Sequence, residues 1–264
     1  MKFKNKIIWI TGASSGIGEA LSKAFASSGA RLILSGRNIE ALKVVQEICL
    51  QKNVEVELLP FDVTDIDQLD QVVTKAISFY GSIDYLVNNA GISQRSLVME
   101  SPLEIDRKIM EVDYFSKVAL TKALLPYMIK QKHGHIIVIS SIAGKFGFPY
   151  RSAYSAAKHA LLGFFESLRL ELVDVPIYVT NVCPGRIRTN ISINAVNAKG
   201  EKHGEMDYGQ DQGMSADVCA GKILEAVANK KKEVYIGGKE ILMVYFKRYI
   251  PSLFYFLASR VNPK

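Results

Sequence analysis

Tyr154 and Lys158 stand four residues apart in the stretch YSAAK, and Ser141 lies thirteen residues before the tyrosine. Residues four apart on a helix are neighbours on one face, so the lysine ammonium reaches the phenol. A cation beside a phenol favours the phenolate. The pair therefore makes a phenol able to exchange a proton near neutral pH, as general acid–base work requires. Ser141 ends the apolar run HIIVISS, where its hydroxyl can hydrogen-bond a substrate carbonyl. The three groups can thus converge on one oxygen. YxxxK alone is a frequent coincidence, and the rival phenol Tyr150 lacks a lysine four residues on. His133, His135, His159 and His203 show no ligand or triad spacing and read as structural or surface residues.

A second motif gives the trio a partner. TGASSGIG at 11–18 follows an apolar strand pattern and opens a helical one. Gly12, Gly16 and Gly18 let the backbone turn tightly and approach a pyrophosphate. Ser14, Ser15 and Ile17 lie where the helix N-terminus offers free N–H groups and a positive partial charge. The next strand ends in Ser35, Gly36 and Arg37. An acid near this point would hold the ribose 2′-OH of NAD. Arginine instead pairs with a 2′-phosphate in bidentate fashion, so NADP(H) is expected in preference to NAD(H). Glu40 is acidic but falls inside the following helix. With such a cofactor in place, hydride is exchanged at the carbon whose oxygen meets Ser141 and Tyr154.

These residues need a scaffold that brings distant chain segments to one edge. Apolar runs at 6–11, 31–35, 54–60, 83–89, 135–141, 177–183 and 233–237 read as strands covered on both faces. Helical patterns fall between them at about 17–28, 38–51, 66–80, 103–131, 153–173 and 215–230, with Ser215 as an N-cap. This alternation predicts an α/β fold, a single Rossmann-type doubly wound domain over 1–264 with a seven-stranded parallel sheet. The segment 189–213 is long, polar and glycine-rich, and reads as a substrate-loop lid. The tail, 239–264, is apolar with basic flanks. It reads in three ways: lining a substrate mouth, touching a membrane surface, or packing on a partner subunit.

Composition excludes several classes. The 264 residues are 48% hydrophobic and 22% charged, as in a globular protein. Cys49, Cys183 and Cys219 are odd in number and widely spaced, without CxxC, so neither a disulfide framework nor a metal site is expected. A reduced, cytoplasmic setting fits them. The net charge of +7 reads as a solvated basic surface, because no nucleic-acid motif accompanies it. IIWI near the N-terminus is too short for a signal-peptide core and reads as the first strand.

Taken together, TGASSGIG, Asp62-Val63, NNAG at 88–91, Ser141, YSAAK, Pro184-Gly185 and Thr189 resemble the compact short-chain dehydrogenase/reductases over residues 6–237. The resemblance implies that Asp62 and Val63 flank the adenine and that Asn89, Ala90 and Gly91 line the cofactor cleft. It also implies that Lys158 holds the nicotinamide ribose, and that Ile187 and Thr189, beyond Pro184 and Gly185, meet the carboxamide. The family places an asparagine on the fourth helix to complete a catalytic tetrad; here that residue is Asp113. The aspartate can still accept from the water the asparagine would hold, but it adds a negative charge near Lys158. The later half resembles membrane-associated reductases of lipids, steroids or retinoids; their usual N-terminal anchor is not expected here. The family forms dimers or tetramers through its fourth and fifth helices, and Phe115, Leu120, Leu124, Phe164, Phe165 and Leu168 point to a homodimer or homotetramer. The implied activity is NADPH-dependent reduction of an apolar ketone or aldehyde, or the reverse. The alternative is a cofactor-binding regulatory protein with impaired catalysis, favoured only by Asp113.

Overall fold

The computed structural model describes residues 2–260. Its frame is a parallel sheet of seven strands: β1 (Ile7–Thr11), β2 (Arg31–Ser35), β3 (Val56–Leu58), β4 (Tyr85–Asn88), β5 (Gly134–Ile139), β6 (Ile177–Pro184) and β7 (Glu233–Ile236). They lie in the order β7-β6-β5-β4-β1-β2-β3. Alternate residues of each strand face opposite sides, and both sides are apolar. Ile8, Ile10, Leu32 and Leu34 point to one core with Leu21, Phe25, Leu42 and Ile223. Those partners lie on helices α1 (Gly16–Ser27), α2 (Ile39–Leu50) and α7 (Ala216–Ala228). Ile7, Trp9, Ile33 and Leu86 point to the other core, with Val73, Leu120, Leu124, Leu161 and Phe165. Those come from α3 (Leu69–Tyr80), α5 (Ser116–Gln131) and α6 (Ser152–Glu171).

Strand order reverses beside β1: the chain builds β2 and β3 on one side, then crosses to β4 on the other. The two loops leaving β1 and β4 diverge there and leave a crevice at the carboxyl edge. Ser215 caps α7 as expected, accepting from the Val218 N–H.

Three regions hold structure that the sequence pattern does not show. Residues 103–131 are helical throughout, as expected, but not uniformly α. Helix α4 (Leu103–Met110) runs into a π turn, Glu111–Phe115, before α5 begins. The wider turn carries Asp113 into the interior. Segment 189–213 is ordered and partly buried. Val196–Asn197 pairs with Gln94–Arg95, and a single helical turn spans Tyr208–Asp211. The tail forms α8 (Leu242–Tyr249) and α9 (Pro251–Ala258), while 261–264 lie outside the described residues. Val244 and Phe254 pack on Ile142 and Phe146.

The apolar residues that suggested a subunit interface mostly serve this chain's own core. Leu120, Leu124, Phe165 and Leu168 are buried within it, and Phe164 packs against it. Of the six, Phe115 alone is exposed.

Candidate functional site

The crevice is the mouth of a cavity of about 1100 Å³. Its nucleotide end is built by the turn after β1. A Cβ added at Gly18 would lie 2.1 Å from the Gly12 carbonyl oxygen, so only glycine lets α1 start this close to the turn. Asn89 clamps the turn from the neighbouring loop, its Nδ2 donating to the Thr11 and Gly12 carbonyls at 3.0 and 3.1 Å. Gly12, Ser14, Ser15, Gly16, Ile17, Arg37, Asp62, Val63, Asn89, Ala90 and Gly91 all line the cavity. Gly18 does not; it packs beneath Gly12. Ser35 is turned inward, where it accepts from Trp9 Nε1 at 2.9 Å. Gly36 and Arg37 are therefore what the end of β2 presents. Arg37 is 74% exposed and lies 3.6 Å from Asp62. Burial raises the Asp62 carboxyl, but hydrogen bonds from Thr64 and the Arg37 charge outweigh it and hold the group below its ordinary value.

Tyr154, Lys158 and Ser141 line the same cavity, with Pro184, Gly185, Ile187 and Thr189, the last lying against Gly16. Lys158 Nζ lies 5.3 Å from the centre of the Tyr154 ring, as their spacing on α6 requires. It donates to the Ile139 carbonyl at 3.3 Å. Ser141 Oγ accepts from the Ala143 N–H at 3.1 Å and makes only a long contact, 3.4 Å, to the Pro184 carbonyl. Tyr150 does not line the cavity. The expected histidine roles are visible in His135, which is buried and bonded to Thr180 Oγ1 at 2.8 Å. Burial pushes its imidazole down to about 4, leaving it neutral. No cluster of His, Cys, Asp or Glu suited to a metal ion occurs among the described residues.

Asp113 sits behind Gly91 and is fully buried. Its Oδ1 accepts from the Ile92 N–H at 3.1 Å and lies 3.6 Å from Lys158 Nζ. Sequence reasoning missed its second neighbour, Lys117, 3.8 Å away; the DYFSK spacing of four was the available signal. Gln94 was also missed. Its Oε1 accepts from the Ala153 and Tyr154 N–H groups at 2.9 and 3.4 Å, capping α6 at the tyrosine itself. No local pattern marks a cap that arrives from sixty residues away. A third surprise is the cluster of Arg95 and Arg151 on Asp207, which lies on the cavity wall.

The apolar part of that wall comes from Ile92, Phe146, Phe148 and Val196, and the tail adds Met243 and Ala258. Of the three readings of the tail, lining the mouth is the one these contacts bear on. Among the described residues no helix is long and apolar enough to cross a membrane.

A glycine turn and the Tyr154–Lys158 pair lining one elongated cavity suit a dinucleotide. Comparison with known proteins agrees. The family model for short chain dehydrogenases matches residues 6–200. A mouse protein named dehydrogenase/reductase SDR family member 7B is 41% identical over 98% of this chain and 82% of its own length. A Drosophila melanogaster protein, named dehydrogenase/reductase SDR family protein 7-like, is 40% identical over the same shares. A short chain dehydrogenase/reductase from Burkholderia phymatum, solved in complex with NAD, superposes with a TM-score of 0.85. That match covers 100% of this chain and 98% of the other at 23% identity, and so speaks for the fold. The chain belongs to the short chain dehydrogenase family and is an oxidoreductase that acts on a small-molecule alcohol or carbonyl with a nicotinamide cofactor.

Proposed function

We propose that the enzyme reduces an apolar ketone or aldehyde with NADPH, and reversibly oxidises the alcohol. The carrying observation is Tyr154 and Lys158 on one face of α6, with Ser141, lining the same cavity as the glycine turn and Arg37. Ser141 Oγ, whose contact to Pro184 is long, is free to turn its proton to the substrate oxygen. Tyr154 Oη gives that oxygen its proton during reduction and takes it back during oxidation. Lys158 supplies a positive field beside the phenol, which favours its giving up the proton. The cofactor, when bound, supplies or accepts the hydride. Gly12 to Ile17 cradle its phosphates, and Asn89, Ala90 and Gly91 shape the cleft beside them.

Support for NADP(H) lies at the end of β2. Ser35 is occupied with Trp9, and exposed Arg37 is loosely held by Asp62. Support for an apolar substrate lies in Ile92, Phe146, Phe148, Val196 and Met243 around the mouth. The test is consumption of NADPH and NADH against apolar and polar ketones, with Arg37→Ser alongside. Arg37→Ser is expected to cost about 10- to 100-fold in kcat/KM with NADPH and little with NADH, the worth of a charge-assisted contact. Equal use of both coenzymes by the native enzyme contradicts the cofactor assignment. Preference for polar ketones contradicts the substrate class.

A further inference from the structure

Two lysines from different helices share one buried carboxylate. The side chains of Asp113, Lys117 and Lys158 are 0%, 2% and 5% exposed. Both ammonium groups approach Oδ1, at 3.8 Å from Lys117 and 3.6 Å from Lys158. Oδ2 accepts no hydrogen bond from the described residues. Lys117 is otherwise held by carbonyl oxygens: it donates to Ala90 and, at 3.1 Å, to Asp113. Gly91 makes the arrangement possible, because a Cβ there would fall 2.4 Å from Oδ1.

One negative charge cannot neutralise two cations. With Lys158 as its sole partner, the Asp113 charge would offset the field that Lys158 exerts on Tyr154. We propose that Lys117 is a positioning residue of the proton step, which takes a share of the Asp113 charge and so leaves Lys158 its positive field at Tyr154. This rests on Tyr154 and Lys158 being the reacting pair. The charges acting on Lys117 are Lys158 and Asp113. Burial first, then Lys158, push its ammonium down to about 7, against the pull of Asp113. The sharing is therefore strongest below neutral pH and fades above it.

The test compares the native enzyme with Lys117→Met, Asp113→Asn and the double variant in alcohol oxidation with NADP⁺ across pH. Lys117→Met is expected to move the rising limb of kcat/KM to higher pH by about 0.5–1 unit. That is a loss of about three- to tenfold below pH ~7, converging on the native enzyme above it, with KM for NADP⁺ little changed. Asp113→Asn is expected to move the limb the other way, and the double variant to return it near the native position. A second readout needs no cofactor. An amine lowered to about 7 in the folded chain, against about 10.4 unfolded, binds fewer protons when folded between those values. Stability relative to Lys117→Met must then climb as pH rises through that window, read as urea midpoints. Profiles that lose amplitude without moving along the pH axis mean a purely structural lysine and overturn the proposal. Should Lys117→Met not fold, Lys117→Gln takes its place, with the same shift expected. Full activity of Tyr154→Phe would instead remove the reacting pair, while the urea midpoints would still report on Lys117.

Discussion

Two buried clusters flank the substrate cavity, and each sets two cations against one carboxylate. Arg95 and Arg151 bond directly to Asp207, Arg95 through two guanidinium nitrogens and Arg151 at 2.7 Å. Lys117 and Lys158 stay at 3.8 and 3.6 Å from the Asp113 carboxylate oxygen Oδ1, beyond hydrogen-bond reach. The first cluster ties three separate segments: the strand Gln94–Arg95, the start of α6, and the ordered 189–213 loop. Planar guanidinium forks suit that fastening, since both partners are locked in orientation. The second leaves its charges loosely matched, and so able to act on a third group, Tyr154. Geometry thus separates a buried charge that holds a wall from one that tunes a reaction.

The largest effect is expected at the fastening. Asp207→Asn leaves the largely buried Arg95 and Arg151 guanidinium groups without their counter-charge and should cost about 3–5 kcal/mol in chemical denaturation. A loss below about 1 kcal/mol would place Asp207 with the weak surface pairs and break the comparison. Asp207 also sets an acid limit. Burial raises its carboxyl, but the hydrogen bond and charge of Arg95 and Arg151 lower it further. A carboxylate lowered in the folded chain stabilises above its unfolded value, and that contribution is lost as pH falls through the folded one. The fastening should therefore survive until pH drops below the ordinary carboxylate range.

Next comes Gly91→Ala, which drives a Cβ against the Asp113 carboxylate. Overpacking of this kind costs about 1–3 kcal/mol. Turnover should fall as well, because the displaced group is the one balanced between two lysines. A variant with unchanged kcat and unchanged stability would show that the loose cluster tolerates rearrangement and tunes nothing. The smallest effect is expected from Gln94→Leu, which uncaps α6 and should lower stability by about 1 kcal/mol. A fall in kcat beyond that loss would show that the cap also aims Tyr154.

The two clusters also differ in how far they could be read from sequence. Strands such as RLILS and helices such as α2 were legible because burial on both sheet faces imposes apolar runs between amphipathic ones. Tyr154, Lys158 and the glycine turn were legible because local spacing places them on one helix face or at one helix start. Asp113 stood out against the family pattern, but the π turn that delivers it did not, since a one-residue widening leaves no mark in a helical periodicity. The Arg95–Asp207–Arg151 cluster joins positions more than fifty residues apart, and only the folded sheet edge brings them together. Segment 189–213 read only as a polar, glycine-rich lid for the same reason: the contacts that order it come from Gln94, Arg95 and Arg151, none of them nearby in sequence.

The central claim is that Tyr154 exchanges the proton while NADPH provides the hydride. The most direct measurement is single-turnover NADPH oxidation by Tyr154→Phe with the best ketone of the panel, beside coenzyme binding followed by fluorescence. Removing a positioned general acid should slow turnover by about 10²–10⁴-fold and leave NADPH binding close to native. Native turnover by the phenylalanine variant would contradict the account and move the proton donor elsewhere in the cavity.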